Sequence, residues 1–207
     1  MEHPFKQEVE KARHNEYSIH PLIFNRWSPR AMTGEEMTEK ELMALFEAAR
    51  WAPSSYNNQP WRFLYARKNT PSWPLFFNLM GEFNQGWTKN ASALVVAISA
   101  KNFEHNSKPA RTHSFDSGAA WMSMAIEGAW RGYVMHGMEG FDFEKAKTDL
   151  GIPDDYQVEA MIAIGKRAPM SQLSPELQKK ETPSDRRPLG EIAIEGKFKK
   201  VKKAQAA

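Results

Sequence analysis

The 207-residue chain contains no cysteine, which excludes disulfides and cysteine-ligated metal sites. Its six histidines (His3, His14, His20, His105, His113 and His136) do not fall at metal-ligand spacing, so a zinc centre is not expected. There is no Gly-x-Ser-x-Gly elbow, no P-loop and no Gly-x-Gly-x-x-Gly turn. The longest aliphatic run, Leu94-Val95-Val96-Ala97-Ile98, is far too short to span a bilayer. The opening Met1-Glu2-His3-Pro4-Phe5-Lys6-Gln7-Glu8 is too charged for a secretory signal, so the expectation is a cytoplasmic protein without a membrane partner. Charge of one sign is also scarce. Lys+Arg number 28 against 25 Asp+Glu, and much of the excess lies in Gly196-Lys197-Phe198-Lys199-Lys200-Val201-Lys202-Lys203. Such a run reads as a solvated tail. A nucleic-acid partner calls for a basic face spread over the fold, so none is expected. Internal repeats and low-complexity segments are absent too.

What is present is apolar and aromatic: 41% hydrophobic residues, 7 Trp and 11 Met, enough to leave surface for a cofactor or a partner subunit. The length suits one domain over residues 1–207, with an N-terminal helix or arm at 1–20 and a C-terminal extension at 168–207. That extension has few core residues of its own, which favours wrapping around something, a second subunit above all. Leu42, Leu45, Phe46 and Ala49 predict an amphipathic helix over 37–51, opened by a Thr38/Glu41 capping box and stopped by Pro53. Helices are also predicted at 73–82 and 115–131, the latter with small Gly118, Ala119 and Ala120 permitting a close helix contact. Strands are predicted at 61–66, 93–99, 132–136 and 158–165, and a mobile polar loop at 101–113. Interleaved helices and strands indicate an α/β or α+β layered fold.

Two segments carry candidate chemistry. Arg26-Trp27-Ser28-Pro29-Arg30 sets two forked guanidinium donors around a hydroxyl, a sensible phosphate clamp, though a basic turn before a helix has the same composition. Pro53-Ser54-Ser55-Tyr56-Asn57-Asn58-Gln59-Pro60-Trp61 could offer donors and acceptors to a flat heterocycle, or be a loop after a helix end. With no nucleophile elbow and no metal spacing, any chemistry falls to a bound cofactor; a protein that is not an enzyme fits equally well.

Together, Arg-x-Ser-x-Arg followed by Ala48-Ala49-Arg50-Trp51-Ala52-Pro53-Ser54-Ser55-Tyr56-Asn57-Asn58-Gln59-Pro60-Trp61 resembles the opening of the nitroreductase family. Phe83-Asn84, Met138-Glu139-Gly140-Phe141-Asp142 and Pro183-Ser184-Asp185-Arg186-Arg187-Pro188-Leu189 extend the resemblance over about residues 20–195. It implies an α+β fold of the nitroreductase type, with a central, mostly antiparallel sheet surrounded by helices and a C-terminal extension embracing the partner of a homodimer. FMN would sit at the shared interface, reduced by NADH or NADPH and reoxidised by a small-molecule electron acceptor such as a nitroaromatic or quinone, in a ping-pong cycle. By that resemblance Arg26, Ser28 and Arg186 would hold the phosphate with Arg187 in support, beside Trp27. Arg30 and Asn84 would face the pyrimidine edge and ribityl chain, and Pro53, Ser54, Ser55 and Asn57 would arrive from the other subunit. Met138, Glu139 and Gly140 would border the flavin N5, the last two through their backbone. No side-chain catalyst is implied, because the flavin carries the redox chemistry and the protein orients and tunes it.

Departures from the pattern are Trp87, where some relatives have lysine and which either covers the flavin or belongs to the core, and bulky Trp27 and Tyr56. Phe103, His105, Arg111 and His113 lie in the segment that frames the substrate channel in similar enzymes. The alternative readings are a specialised flavin reaction on the same fold, such as flavin fragmentation or reductive dehalogenation, and a non-catalytic FMN-binding or redox-sensing protein.

Overall fold

The structure is a computed structural model and describes residues 6–198; residues 1–5 and most of the basic tail lie outside the described residues. The chain begins with a short helix α1 (Lys6–Glu10). A second short helix, α2 (Pro21–Asn25), starts on a proline and is capped by the His20 ring, which accepts from the Leu22 N–H at 3.2 Å. The first lies within the helix or arm expected at 1–20, and the second follows it directly. The predicted amphipathic helix is α3 (Glu39–Arg50), and its capping box is present in both directions: the Glu41 N–H donates to Thr38 Oγ1 at 3.2 Å and the Thr38 N–H to Glu41 Oε2 at 2.9 Å.

Beyond a 3₁₀ turn at Ser55–Asn57, β1 (Trp61–Arg67) leads into two helices, α4 (Trp73–Phe77) and α5 (Glu82–Thr88), where the periodicity predicts one. The break is tertiary in origin. Met80 forms a β-bridge with Phe141, Gly81 is extended, and the Gln85 side chain donates to the carbonyls of Phe77 and Met80 at 3.2 and 2.9 Å. Then come β2 (Ala93–Ala100), the long α6 (His113–Trp130), β3 (Tyr133–Met138), α7 (Phe143–Asp149), β4 (Tyr156–Lys166), a 3₁₀ turn at Met170–Gln172, α8 (Pro175–Gln178) and α9 (Leu189–Ile192). No helix is predicted where α7 lies; its N-cap is Asp142, which accepts from the Lys145 N–H at 2.8 Å. The stretch expected to be a mobile loop closes on itself as a hairpin: Asn102 bridges Pro109 and the Phe103 N–H donates to the Lys108 carbonyl at 2.8 Å.

The four strands form one antiparallel sheet in the order β1-β2-β4-β3. Alternation along β2 sends Leu94, Val96 and Ile98 into one apolar cluster with Met161, Val134 and Trp87. It sends Ala93, Val95 and Ala97 into a second cluster, where Leu42, Leu45 and Ala49 of α3 meet Ala120 and Met124 of α6. Helix α6 comes close to the sheet at Gly128, where an added Cβ would lie 2.6 Å from Met135 Sδ. The C-terminal segment is not bare of core residues as far as Leu177: Ala168, Leu173 and Leu177 pack into the first cluster.

Candidate active site

The extended segment after α2 has a strict period of two. Asn25, Trp27 and Pro29 are buried, while Arg26, Ser28 and Arg30 are only partly buried and share the other side. Arg26 Nη1 donates to Ser28 Oγ at 3.2 Å, and the Nε atoms of Arg26 and Arg30 are buried without a hydrogen-bond partner. Trp27 is a correction to the sequence reading. Its side chain is 6% exposed, belongs to the core and lies 5.1 Å from the Arg167 guanidinium that stacks over it, so only its backbone is left at this surface.

Arg186 converges on Arg26 from the other end of the chain. Both line a cleft of about 470 Å³, together with Arg13, Arg187 and apolar Ile23, Met122 and Ile192. Burial, and next to it the Arg186 charge, push the Arg26 guanidinium below its ordinary pKa. Among the described residues neither Arg26 nor Arg186 forms an ion pair with a carboxylate. Arg187 instead lies 3.6 Å from Glu191 and is well exposed.

Arg30 is fixed through its backbone. The buried Glu181 carboxylate accepts from the Arg30 N–H at 2.9 Å and the Ala31 N–H at 2.8 Å, and pairs with Arg167 at 2.6 Å. Next to Arg30, His136 of β3 sits 4.8 Å from the Trp87 ring, with Nδ1 3.4 Å from the Pro29 carbonyl. Burial and then the Arg30 charge hold this imidazole below its usual pKa, against the opposing pull of the Pro29 and Ser28 carbonyls, so it is neutral near pH 7.

Asn84 of α5 spends its amide within the protein. Nδ2 donates to the Gly140 carbonyl at 2.6 Å and Oδ1 accepts from Trp87 Nε1 at 3.1 Å. Trp87 is a 1% exposed core residue that aims Asn84, and it does not reach the surface as a flavin cover. Met138 is core as well, at 8% exposure, whereas Glu139 and Gly140 are exposed. Their turn is pinned by Phe141 N–H to Glu139 O and Asp142 N–H to Leu79 O, both 2.8 Å. A Cβ at Gly140 would lie 2.6 Å from Asn84 Nδ2, so glycine is what allows that bond.

The remaining predicted residues lie elsewhere. The exposed Pro53 ends α3, and after it Tyr56 (φ 52), Asn57 (φ 52) and Gln59 (φ 46) all occupy the left-handed region. The turn is held by Ser55 N–H to Asp116 Oδ2 at 3.1 Å and Gln59 N–H to Ser54 Oγ at 2.9 Å. Tyr56 is 83% exposed, with its ring 5.6 Å from Phe103 and 5.8 Å from His105. Asn57 lines a separate cleft of about 280 Å³ with Arg62, Glu104 and His105. Arg111 is exposed, and His113 is engaged by Ser99 Oγ at 2.7 Å. This turn feeds β1, at the edge of the sheet opposite β3 and the Glu139–Gly140 turn, which puts the two edges about 14 Å apart at ordinary strand spacing. One chain therefore brings Arg26, Ser28, Arg30, Arg186 and the Asn84–Gly140 pair to one region, and Pro53, Ser54, Ser55 and Asn57 to another.

The sequence profile of the nitroreductase family matches residues 23–72 and 67–166, more than half of the chain. This chain belongs to the nitroreductase family. Among solved structures, it is similar to one described as the oxidoreductase containing FMN, with 46% identity, 90% of this chain and 96% of that one covered, and a TM-score of 0.87. Protein DrgA of Synechocystis sp. is 28% identical over 188 residues, 75% of this chain and 85% of that protein. The oxygen-insensitive NADPH nitroreductase of Helicobacter pylori is 38% identical over 69 residues, 33% of this chain and 32% of that enzyme. The nitroreductase-like α+β fold, inferred from motifs, is the fold observed. Membership describes an FMN-dependent oxidoreductase.

Sequence reasoning missed Arg13, Glu181 and Arg167. The Glu181 contacts span 150 residues and those of Arg13 reach 171, so no local pattern could signal them.

Proposed function

We propose that this nitroreductase-family chain takes a hydride from NADH or NADPH and passes it, by way of FMN, to a small electron acceptor such as a nitroaromatic or quinone. It would do so in the cytoplasm, as a homodimer with two sites at the interface. Among the described residues no helix is long and apolar enough to cross a membrane.

The observation that carries this reading is the convergence of Arg26 and Arg186 on one cleft, neither of them in an ion pair with a carboxylate among the described residues. Like charges gathered in a partly buried site call for an anion, and the Arg26 guanidinium beside the Ser28 hydroxyl fits a phosphate. When bound, FMN supplies the capacity to accept a hydride and hand it on. The chain's own groups would bind and orient it. Arg30, placed by Glu181, holds a fixed cation where the pyrimidine edge would lie, and neutral His136 adds no second charge beside it. The Gly140 N–H donates to no group among the described residues, and Asn84, bonded to the Gly140 carbonyl, steadies the turn that would present this N–H to the flavin N5. Protons would come from solvent.

Two features support the homodimer. Phe115, Gly118, Met122, Ile126 and Trp130 are spaced three or four apart along the side of α6 away from the core, with Phe115 81% and Trp130 63% exposed. The Pro53–Asn57 turn lies across the sheet from the arginine cleft, so a second copy is the natural way to bring it there.

The test is direct. The purified protein is expected to be yellow, to release a chromophore with the mass of FMN, and to oxidise NADH or NADPH anaerobically only when a nitroaromatic or quinone is added. A colourless protein that takes up no FMN overturns the reading. One that binds FMN but shows no acceptor-dependent turnover leaves a binder and removes the enzyme.

A further inference from the structure

The family match begins at residue 23 and ends at residue 166, so neither terminal arm lies within it. Yet the two arms are tied to each other and to the phosphate-side segment. Arg13, in the N-terminal arm, is only 8% exposed. Its Nε donates to the Ser184 carbonyl at 2.9 Å, and its Nη1 donates to the carbonyls of Phe24 and Arg26 at 2.6 and 3.0 Å. Nearby, the His14 N–H donates to Asp185 Oδ1 at 3.3 Å and the Leu189 N–H to Glu16 Oε1 at 2.7 Å. One side chain therefore bridges three segments, two of which carry Arg26 and Arg186.

Arg13 also lines the same cleft as those two arginines. Burial, followed by the charges of Arg186 and Arg26, holds its guanidinium below the ordinary range, with Asp185 opposing. The acidic groups at the cleft are committed elsewhere: Asp185 to His14 and the Arg186 N–H, Glu16 to the Leu189 N–H. Nη2 of Arg13 has no partner among the described residues.

We infer that Arg13 completes the phosphate site, both as a third guanidinium at the cleft and as the positioning residue that clasps the C-terminal arm, and with it Arg186, over Arg26. This rests on the FMN reading and names a residue, Arg13, outside the family motifs. Without an anion three cations oppose closure of the clasp; a phosphate dianion between them favours it.

The discriminating experiment compares flavins with and without the phosphate. FMN and riboflavin are titrated into flavin-stripped wild type, Arg13→Met and Arg13→Lys, with far-UV circular dichroism to confirm folding. The expected result is a preference for FMN over riboflavin that falls about tenfold or more in Arg13→Met. In Arg13→Lys, which keeps the charge but loses the three-way bridge, it falls by less. Because riboflavin lacks the phosphate, a merely structural role would weaken both flavins alike and leave their ratio unchanged, which overturns the inference. In a second readout, FMN but not riboflavin slows tryptic cleavage after Arg186 in wild type, and Arg13→Lys loses most of that protection. Equal protection in the lysine variant also overturns it. A wild type that binds neither flavin sinks the FMN reading itself, and that outcome is distinct from both.

Discussion

The arginine cleft and the Pro53–Gln59 turn are built by opposite means. The cleft has ordinary backbone and gathers charge from distant segments: Arg13, Arg26 and Arg186 meet because a guanidinium bridges carbonyls up to 171 residues away. The turn is local in sequence and places its unusual feature in the backbone, with three non-glycine residues at positive φ within four positions and an exposed tyrosine at its tip. Clustered residues of that kind persist only when their surroundings over-determine them, here through Asp116 and Ser54 Oγ. The cleft is suited to holding a charged tail, the turn to presenting polar and aromatic groups to a flat ring. The proposed homodimer would make them two halves of one site.

The largest expected effect tests whether the halves belong to different chains. Arg26→Ala/Arg186→Ala and Asn57→Trp homodimers should both lose their flavin on dialysis. Co-assembled, each mixed dimer has one site free of every substitution, so flavin and acceptor-dependent turnover should reappear at up to half the wild-type level per mixed dimer. Failure to recover any would put both halves on one chain and break the comparison.

Next in size, Arg26→Ala by itself should weaken FMN retention by roughly 1.5–3 kcal/mol, the range for a hydrogen bond to a charged group. Equilibrium dialysis checks this, and unchanged flavin content would remove Arg26 from the phosphate site. Tyr56→Gly sharpens the other half. It relieves a residue at φ 52 and removes a ring that is 83% exposed, so stability should move by no more than about 1 kcal/mol. The KM for a planar acceptor should nonetheless rise severalfold while FMN retention holds. An unchanged KM would leave Tyr56 without a part in acceptor binding.

The smallest effect concerns the helix that carries the turn. The Thr38 hydroxyl, then the Tyr133 hydroxyl at 2.7 Å, hold the Glu41 carboxyl at about 2. An unfolded glutamate titrates near 4.3. The stabilisation is therefore complete above that value and is lost as pH falls towards 2. Glu41→Gln should flatten the acid limb of the stability–pH curve between those values without altering FMN binding at neutral pH. A limb of unchanged slope would show the interaction to be inert.

Local signals were readable where neighbours in sequence supply the partners. The Thr38/Glu41 box, the strands and the long α6 follow from spacing alone, and the arginine and Pro53–Trp61 motifs marked both halves of the candidate site. Trp27 and Trp87 were ambiguous because an indole serves equally as core or as ring cover, and only packing shows both to be buried. The split of one expected helix into α4 and α5 came from a bridge to Phe141, 61 residues on from Met80.

By itself the sequence determined the four strands, the two longest helices, the family and which side chains could grip an anion, because those depend on residue type and short-range period. Which of them meet was decided only in three dimensions. Sheet order set the two motifs on opposite edges, and Glu181 and Arg13 earned their places through contacts 150 to 171 residues apart. The physical reason is that charge pairing and carbonyl bridging act through space, and the chain writes no local record of them.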